Sequence, residues 1–255
     1  MRHFFQMTRN ELRALWIAPS TYVAAVLFLI IMGALYLLAL EETGPGHAPK
    51  MELPSTVFFK MFWLPVFFMV PMLTMRSIAE ERRLGTLEAL MTTPISAGSL
   101  VASKFTAAYL FYCMLWVLTL IFPILANMAL GARGDPRLLD WPSLMGGLCF
   151  VAVSGSLFVA IGIFASSMTR TTLVAGMLSF SLLFIVILSG GLLTRLTFGD
   201  GIDLPFFAEA LEYLKTFQHQ EDFGRGIIDS RPFFFYFTNT LLLLGLTTLI
   251  VESKT

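Results

Sequence analysis

The chain has 255 residues, of which 13% are charged and 56% are hydrophobic, and its formal net charge is zero. Soluble domains carry about 25% charged residues, so this composition excludes an ordinary water-covered surface and indicates that much of the surface faces lipid. The neutral charge also gives no argument for nucleic-acid binding.

Cysteine and histidine residues do not suggest a metal or disulfide framework. Cys113 and Cys149 lie inside apolar runs, where they fit as small packing residues. The three histidines are scattered through polar segments, with no cysteine at metal-ligand spacing. No metal site is therefore predicted.

Residues 1–19 predict an amphipathic helix that ends at Pro19. Its apolar face consists of Phe5, Leu12, Leu15 and Trp16, and its basic face of Arg2, Arg9 and Arg13. A basic amphipathic helix with a tryptophan can lie in the membrane interface. An extension of the first membrane helix fits the same pattern equally well, and both interpretations stay open at this point.

Six apolar runs are long enough to cross a bilayer. A hydrocarbon core of about 30 Å needs about 20 apolar residues in a helix, and unpaired backbone groups in lipid exclude single strands. The runs cover 21–40, 57–75, 105–130, 143–167, 172–193 and 232–251. We therefore predict one all-α domain over 1–255, a polytopic membrane protein with six transmembrane helices.

The second run is interrupted by Lys60, Pro65 and Pro71. Lys60 lies near the start of the run, from which its side chain can reach the interface. Six spans place both termini on one side of the membrane. A slight excess of Lys and Arg on that side predicts cytoplasmic termini.

The loop from Arg76 to Lys104 is long and charged. Four apolar residues recur in it at helical spacing: Leu84, Leu87, Leu90 and Met91. Gly85 falls in the middle of this pattern, where glycine costs roughly 1 kcal/mol relative to alanine. A missing side chain permits close approach by a partner, so we predict a cytosolic docking helix.

The outer loop from Thr194 to Arg231 predicts a further, extracytoplasmic helix. Asp203 and Pro205 fit a cap and first turn, and the residues that follow on one face are Phe206, Ala210, Leu214 and Phe217. In the fourth run, small residues could allow close helix contact, within the chain or between two copies. They are Ala152, Gly155, Ser156, Ala160 and Gly162.

No catalytic chemistry is evident. The six runs carry almost no charge, which argues against an ion-coupled transporter or a voltage sensor. There is no phosphate-binding loop, and no span carries a histidine that could activate a serine. The chain is therefore not predicted to be an enzyme, and energy for any transport must come from a partner.

The charged loop resembles that of permease subunits of ABC-2 type exporters. The matching residues are Glu81, Gly85, Thr86, Glu88, Leu90, Thr93 and Pro94. In that family the loop carries a coupling helix that docks on a nucleotide-binding subunit. The resemblance implies ATPase contacts by Glu81, Arg82, Gly85, Thr86 and Glu88.

A second motif resembles the gliding-motility-associated branch of these permeases. It includes Phe217, His219, Phe223, Arg225, Gly226, Ile228, Asp229 and Arg231. The resemblance implies that His219, Phe223, Gly226 and Asp229 form an extracytoplasmic motif. Pro232 and Phe233 stand where an acidic residue would be expected for this branch.

The resemblance implies a membrane subunit that couples ATP hydrolysis to export across the bacterial inner membrane. ATP and Mg would be bound by a cytosolic ABC ATPase rather than by this chain. A second permease copy or paralogue would complete a dimer in the lipid bilayer. The main alternative is a non-transporting scaffold that anchors a cell-envelope or motility assembly, and a membrane enzyme is a third possibility. The sequence does not identify a substrate.

Overall fold

The computed structural model describes residues 2–43, 53–91, 96–130, 139–199, 216–227 and 230–253. Every regular element within these residues is a helix, so the predicted all-α class is confirmed. In chain order the helices are α1 (Arg2–Ile17), α2 (Pro19–Thr43), α3 (Pro54–Lys60), α4 (Trp63–Thr74), α5 (Ala79–Leu84), α6 (Thr86–Met91), α7 (Ala97–Leu118), α8 (Ile121–Leu130), α9 (Trp141–Met168), α10 (Thr172–Gly199), α11 (Thr216–Gly224) and α12 (Ser230–Ser253).

Four long helical segments in the described residues are apolar enough to cross a membrane. They are Pro19–Glu42, Ala97–Ala129, Trp141–Met168 and Ser230–Ser253. The pair formed by Pro54–Lys60 and Trp63–Leu84 is bent by 49° and gives a fifth candidate if it is one span. In α10 the apolar stretch Thr172–Leu188 is shorter than these four, although the helical backbone continues to Gly199.

Two predicted spans are broken, and each break lies four residues before a proline. The ring of Pro65 would meet the carbonyl of Met61, which lies between α3 and α4. Pro123 stands in the same relation to Thr119, between α7 and α8. Proline removes one helical hydrogen bond and clashes with the carbonyl four residues earlier, which explains both interruptions.

Helix α9 lies at the centre of the bundle, and its glycines face other helices. A Cβ atom added to Gly147 would lie 2.3 Å from the Phe59 ring on α3, and one on Gly155 would lie 2.1 Å from Tyr112 on α7. One on Gly162 would lie 2.2 Å from Thr74 Oγ1 on α4.

The other small residues of α9 also make contacts within the chain. Ser156 Oγ lies 3.1 Å from Thr240 Oγ1 on α12. The hydroxyl of Tyr109 on α7 donates to the Ala152 carbonyl at 2.8 Å. The small-residue pattern therefore serves packing inside this chain.

Helix α1 is separated from α2 at Ala18 and packs along α7. Leu12 and Leu15 are partly buried against the core, as the predicted apolar face requires. Phe5 and Trp16 belong to that predicted face but are 74% and 45% exposed. The edge of the Trp16 ring contacts Phe111 of α7 at a centroid distance of 5.8 Å.

Contacts between helix ends define two ends of the bundle. At one end, which we call the loop end, α5 and α1 meet the start of α7, and Gly98 of α7 lies beside Thr248 near the end of α12. At the opposite end, α11 packs on the starts of α3 and α9, and Thr56 Oγ1 lies 2.9 Å from Ser143 Oγ.

Candidate functional site: the charged loop and its anchors

The loop that follows α4 forms two short helices with a left-handed residue between them. Gly85 has a φ of 71° and caps α5, where its backbone N–H donates to the Arg82 carbonyl at 3.3 Å. The expectation of one helix with Gly85 in its interior is therefore wrong. Glycine ends α5 because it adopts this backbone conformation without steric cost.

Charges within α5 match its dipole. Glu80 and Glu81 lie in the first turn and Arg82 and Arg83 in the last, an order that favours the helix at both ends. Glu80 also forms two ion pairs: its Oε2 lies 3.9 Å from Arg76 Nε, and its Oε1 lies 3.7 Å from Arg83 Nη2. These pairs are partly exposed and stabilise the helix only modestly.

Ser166, fully buried near the end of α9, fixes the start of α5. Its Oγ accepts hydrogen bonds from the backbone N–H groups of Ile78 at 3.1 Å and Ala79 at 3.0 Å. The same hydroxyl donates to the Met75 carbonyl at 3.2 Å. Two otherwise unpaired N–H groups at the helix start are thus satisfied by one side chain.

Lys104 connects the loop to two other helices. Its side chain is only 3% exposed, and Nζ donates to Glu11 Oε1 of α1 at 2.8 Å and to Glu81 Oε1 of α5 at 2.6 Å. Glu81 lies outside the apolar run that ends at Met75. Burial raises the pKa of the Glu81 carboxyl, although the charge of Lys104 acts in the opposite direction.

Arg82 makes the third internal connection. Its Nη1 donates to the Ser167 carbonyl at the end of α9. Burial, together with the nearby charge of Arg170, lowers the pKa of the Arg82 guanidinium. Glu81 and Arg82, both expected to contact a partner, are thus engaged inside the chain.

The residues that follow form an exposed tip. Arg83, Leu84, Gly85 and Thr86 are all exposed, and Leu84 is 61% exposed. Thr86 Oγ1 donates back to the Glu81 carbonyl at 3.2 Å. A Cβ atom on Gly85 would have no atom within 4 Å, so the tip is open to an approaching surface.

Three residues of the loop motif lie wholly or partly outside the described residues. Glu88 belongs to α6, but its side chain is outside the described residues. Thr93 and Pro94 are outside them altogether. Lys104 and Ser166 had not been identified as site residues, because nothing in the local sequence pattern links them to the loop.

The second motif lies on α11 at the opposite end of the bundle. The rings of His219 and Tyr236 are in edge contact at a centroid distance of 6.1 Å. Phe223 is buried, and a Cβ atom added to Gly146 would lie only 2.0 Å from the carbonyl oxygen of Phe223. Gly226 has a φ of 78° and ends the turn after α11.

Asp229 and most of the predicted helix from Asp203 lie outside the described residues. Glu221 of α11 lies 3.5 Å from Lys60 and 2.9 Å from Arg225. Lys60 is thus positioned by an ion pair as well as by its place near the start of the second run. Within the described part of the chain, no group of three or more His, Cys, Asp or Glu residues could hold a metal ion.

A bundle of long apolar helices with a charged, internally anchored loop at one end defines a multi-pass membrane protein. The chain belongs to the ABC-2 transporter family, because the family model described as ABC-2 family transporter protein matches residues 7–248. Members of this family are membrane components of transporters and normally work with an ABC ATPase. A search among curated proteins found no match.

Proposed function

We propose that this chain is the permease subunit of an ATP-driven exporter and that its charged loop receives the ATPase. The observation that carries the proposal is the exposed tip Arg83–Thr86. The residues just before it are fixed to the membrane helices by Ser166, Lys104 and the Ser167 carbonyl. Leu84 is exposed between two predicted spans, where lipid does not account for its exposure, and it lies beside a glycine with open space around it. These connections give a contact at the tip a firm link to the membrane helices.

The loop residues then divide into two groups. Arg83, Leu84, Gly85 and Thr86 contact the ATPase, with Glu88 as a further expected contact. Glu81 and Arg82 act as positioning residues, because their side chains bind Lys104 and the Ser167 carbonyl. Movement of the ATPase would reach α9 through Ser166 and Arg82, and α7 and α1 through Lys104.

Six membrane crossings with cytoplasmic termini are part of the proposal. The helix-end contacts support it, since α1, the loop, the end of α9 and the end of α12 all lie at the loop end. An even number of crossings brings the termini together in this way. The α3–α4 pair and α10 would supply the second and fifth crossings.

The remaining parts of the proposal follow the family. ATP and Mg would be bound by the separate ATPase, and a second permease copy or paralogue would complete the complex in a bacterial inner membrane. Membership of the gliding-motility-associated branch rests on the motif around His219 and Phe223. The structure of α11 suggests packing roles for these two residues rather than direct chemistry.

The test is co-purification with a co-expressed ABC ATPase subunit and measurement of its ATP hydrolysis. Leu84→Glu places a charge on the tip, and Ile227→Glu is the matched control, since Ile227 is 57% exposed at the opposite end. We expect Leu84→Glu to lose ATPase binding and stimulation, and Ile227→Glu to retain both. If both variants still bound the ATPase, the docking role of the tip would be refuted.

The same experiment separates transporter from scaffold. In an exporter, the bound permease changes the rate of ATP hydrolysis, and reconstituted vesicles show ATP-dependent movement of substrate. In a scaffold, the partner stays bound while hydrolysis is independent of the permease.

A further inference from the structure

The outward side of α1 has a cationic surface. Arg9 and Arg13 are exposed, and together with Gln6 and Asn10 they line a shallow hollow. Among the described residues, no carboxylate lies within ion-pair distance of either guanidinium. Unpaired arginines at neighbouring positions of one helix face form a site for an anion that comes from outside the chain.

The acidic residue of α1 points the other way. Glu11 is the only carboxylate in Arg2–Ile17, and its Oε1 lies 2.8 Å from the buried Nζ of Lys104. Its charge is thus neutralised inside the bundle and does not offset the arginines. The outward face of α1 is therefore purely cationic in its described side chains.

The contact with Lys104 also sets the depth of the arginines. Lys104 is the last charged residue before the apolar run 105–130, so it marks the boundary of the hydrocarbon region. Arg9 and Arg13 are two residues on either side of Glu11, about 3 Å along the helix axis. They consequently lie near the level at which lipid phosphate groups are found.

Exposed aromatic residues complete the same stripe. Phe5, Arg9, Arg13 and Trp16 follow one another at spacings of four, four and three residues, which places them on one side of α1 rather than on the two separate faces that the sequence pattern predicts. Phe5 and Trp16 are exposed at the two ends of this stripe. Aromatic residues beside arginines suit the boundary between headgroups and acyl chains.

We propose that this face of α1 binds the phosphate headgroups of anionic phospholipids, with Arg9 and Arg13 as the ligands. The depth of the arginines and the exposed rings favour a membrane lipid over a soluble anion. This binding is a property of the chain itself, beyond its proposed partnership with an ATPase.

The test is titration of the purified full chain in detergent with phosphatidylglycerol or phosphatidylcholine, with bound lipid counted by native mass spectrometry. Phosphatidylglycerol should bind more tightly. Arg9→Gln or Arg13→Gln should weaken its binding about fivefold each, and the double substitution about thirtyfold. The control Arg225→Gln removes an exposed arginine at the opposite end and should leave the affinity unchanged.

Three outcomes would overturn the proposal: unchanged phosphatidylglycerol affinity in the double variant, equal affinity for phosphatidylcholine, or displacement of the lipid by millimolar inorganic phosphate. The variant with Arg9→Lys and Arg13→Lys preserves both charges and should retain most of the affinity. Comparing it with the double Gln variant, at equal thermal stability, separates lost charge from lost folding. No ATPase is present, so failure here would not bear on the docking role of the loop.

Discussion

At Gly85 the chain turns from α5 into α6 with a positive φ and no neighbouring atoms around the missing side chain. Replacement by alanine should therefore cost about 1 kcal/mol through backbone strain alone. Asparagine tolerates the left-handed region better, so Gly85→Asn should stay close to the native stability.

Amide hydrogen exchange across 79–91 measures this difference directly. We expect Gly85→Ala to exchange about fivefold faster in α5 and α6, and Gly85→Asn to exchange nearly as slowly as the wild-type chain. Equal acceleration in both variants would mean that the missing side chain, rather than the backbone angle, determines the choice of glycine.

Gly155 and Gly245 form a second test at single positions, with opposite expected signs. A Cβ on Gly155 would lie 2.1 Å from the ring of fully buried Tyr112, whereas one on Gly245 of α12 would have nothing within 4 Å. Gly155→Ala should destabilise the chain by about 1–3 kcal/mol through overpacking. Gly245→Ala should stabilise α12 by up to about 1 kcal/mol.

Thermal unfolding of the two purified variants in detergent provides the measurement. The midpoint should fall for Gly155→Ala and rise slightly for Gly245→Ala. A fall for both would indicate that any added methyl group disturbs the bundle, and that the close approach of α9 to α7 is not specific.

At the scale of elements, the ion pairs of Lys104 and Lys60 differ in burial, and they should therefore differ in how much they stabilise the fold. The Lys104 side chain is 3% exposed and holds α1, α5 and α7 together. Lys104→Met would leave Glu11 and Glu81 as uncompensated neighbours, a change that costs about 3 kcal/mol in buried pairs. Lys60→Met removes a half-exposed pair with Glu221 and should cost no more than about 1 kcal/mol.

Unfolding midpoints of the two Met variants test this contrast, with a rescue as control. Adding Glu11→Gln and Glu81→Gln to Lys104→Met removes the unpaired carboxylates and should recover part of the lost stability. If Lys60→Met proved the more damaging substitution, the three-helix connection at Lys104 would not be important for stability. No recovery in the triple variant would point to lost packing of the lysine stem instead.

The elements that can be predicted are those whose pattern lies in neighbouring residues of the sequence. Apolar length located the long helices, and the charged pattern of 76–96 located the loop, because both are read from neighbouring residues. The breaks at Met61 and Thr119 follow from proline geometry, but a hydropathy pattern alone reads across them. The sequence pattern draws attention to Gly85, but places it inside one helix, because its role as a cap depends on a backbone angle that the pattern does not contain.

The contacts of Ser166 and Lys104 with the loop cannot be predicted from the sequence, for a physical reason. Ser166 bonds to backbone groups 87 and 88 residues away, and Lys104 bonds to Glu11 at a separation of 93 residues. Such pairs arise from helix packing and leave no periodic trace. Exposure also depends on packing, which is why Phe5 and Trp16, on the predicted apolar face, remain outside.

For the whole molecule, the two ends of the bundle make the proposed orientation testable. Arg83 lies at the loop end and Arg225 at the opposite end, and both side chains are exposed. In a background with Cys113→Ala and Cys149→Ala, each arginine can be replaced singly by cysteine. A membrane-impermeant maleimide applied to spheroplasts should then label Arg225→Cys at once and Arg83→Cys only after the membrane is permeabilised.

We expect this result because the proposed orientation keeps the loop end, with Arg9, Arg13, Arg76 and Arg83, in the cytoplasm, as the positive-inside rule favours. Equal labelling of both variants from outside would contradict the three spans, an odd number, that the proposal places between Arg83 and Arg225. Labelling of Arg83→Cys alone would invert the whole chain. A cytosolic ATPase could not then reach the tip, so inversion would remove the proposed transport mechanism together with the orientation.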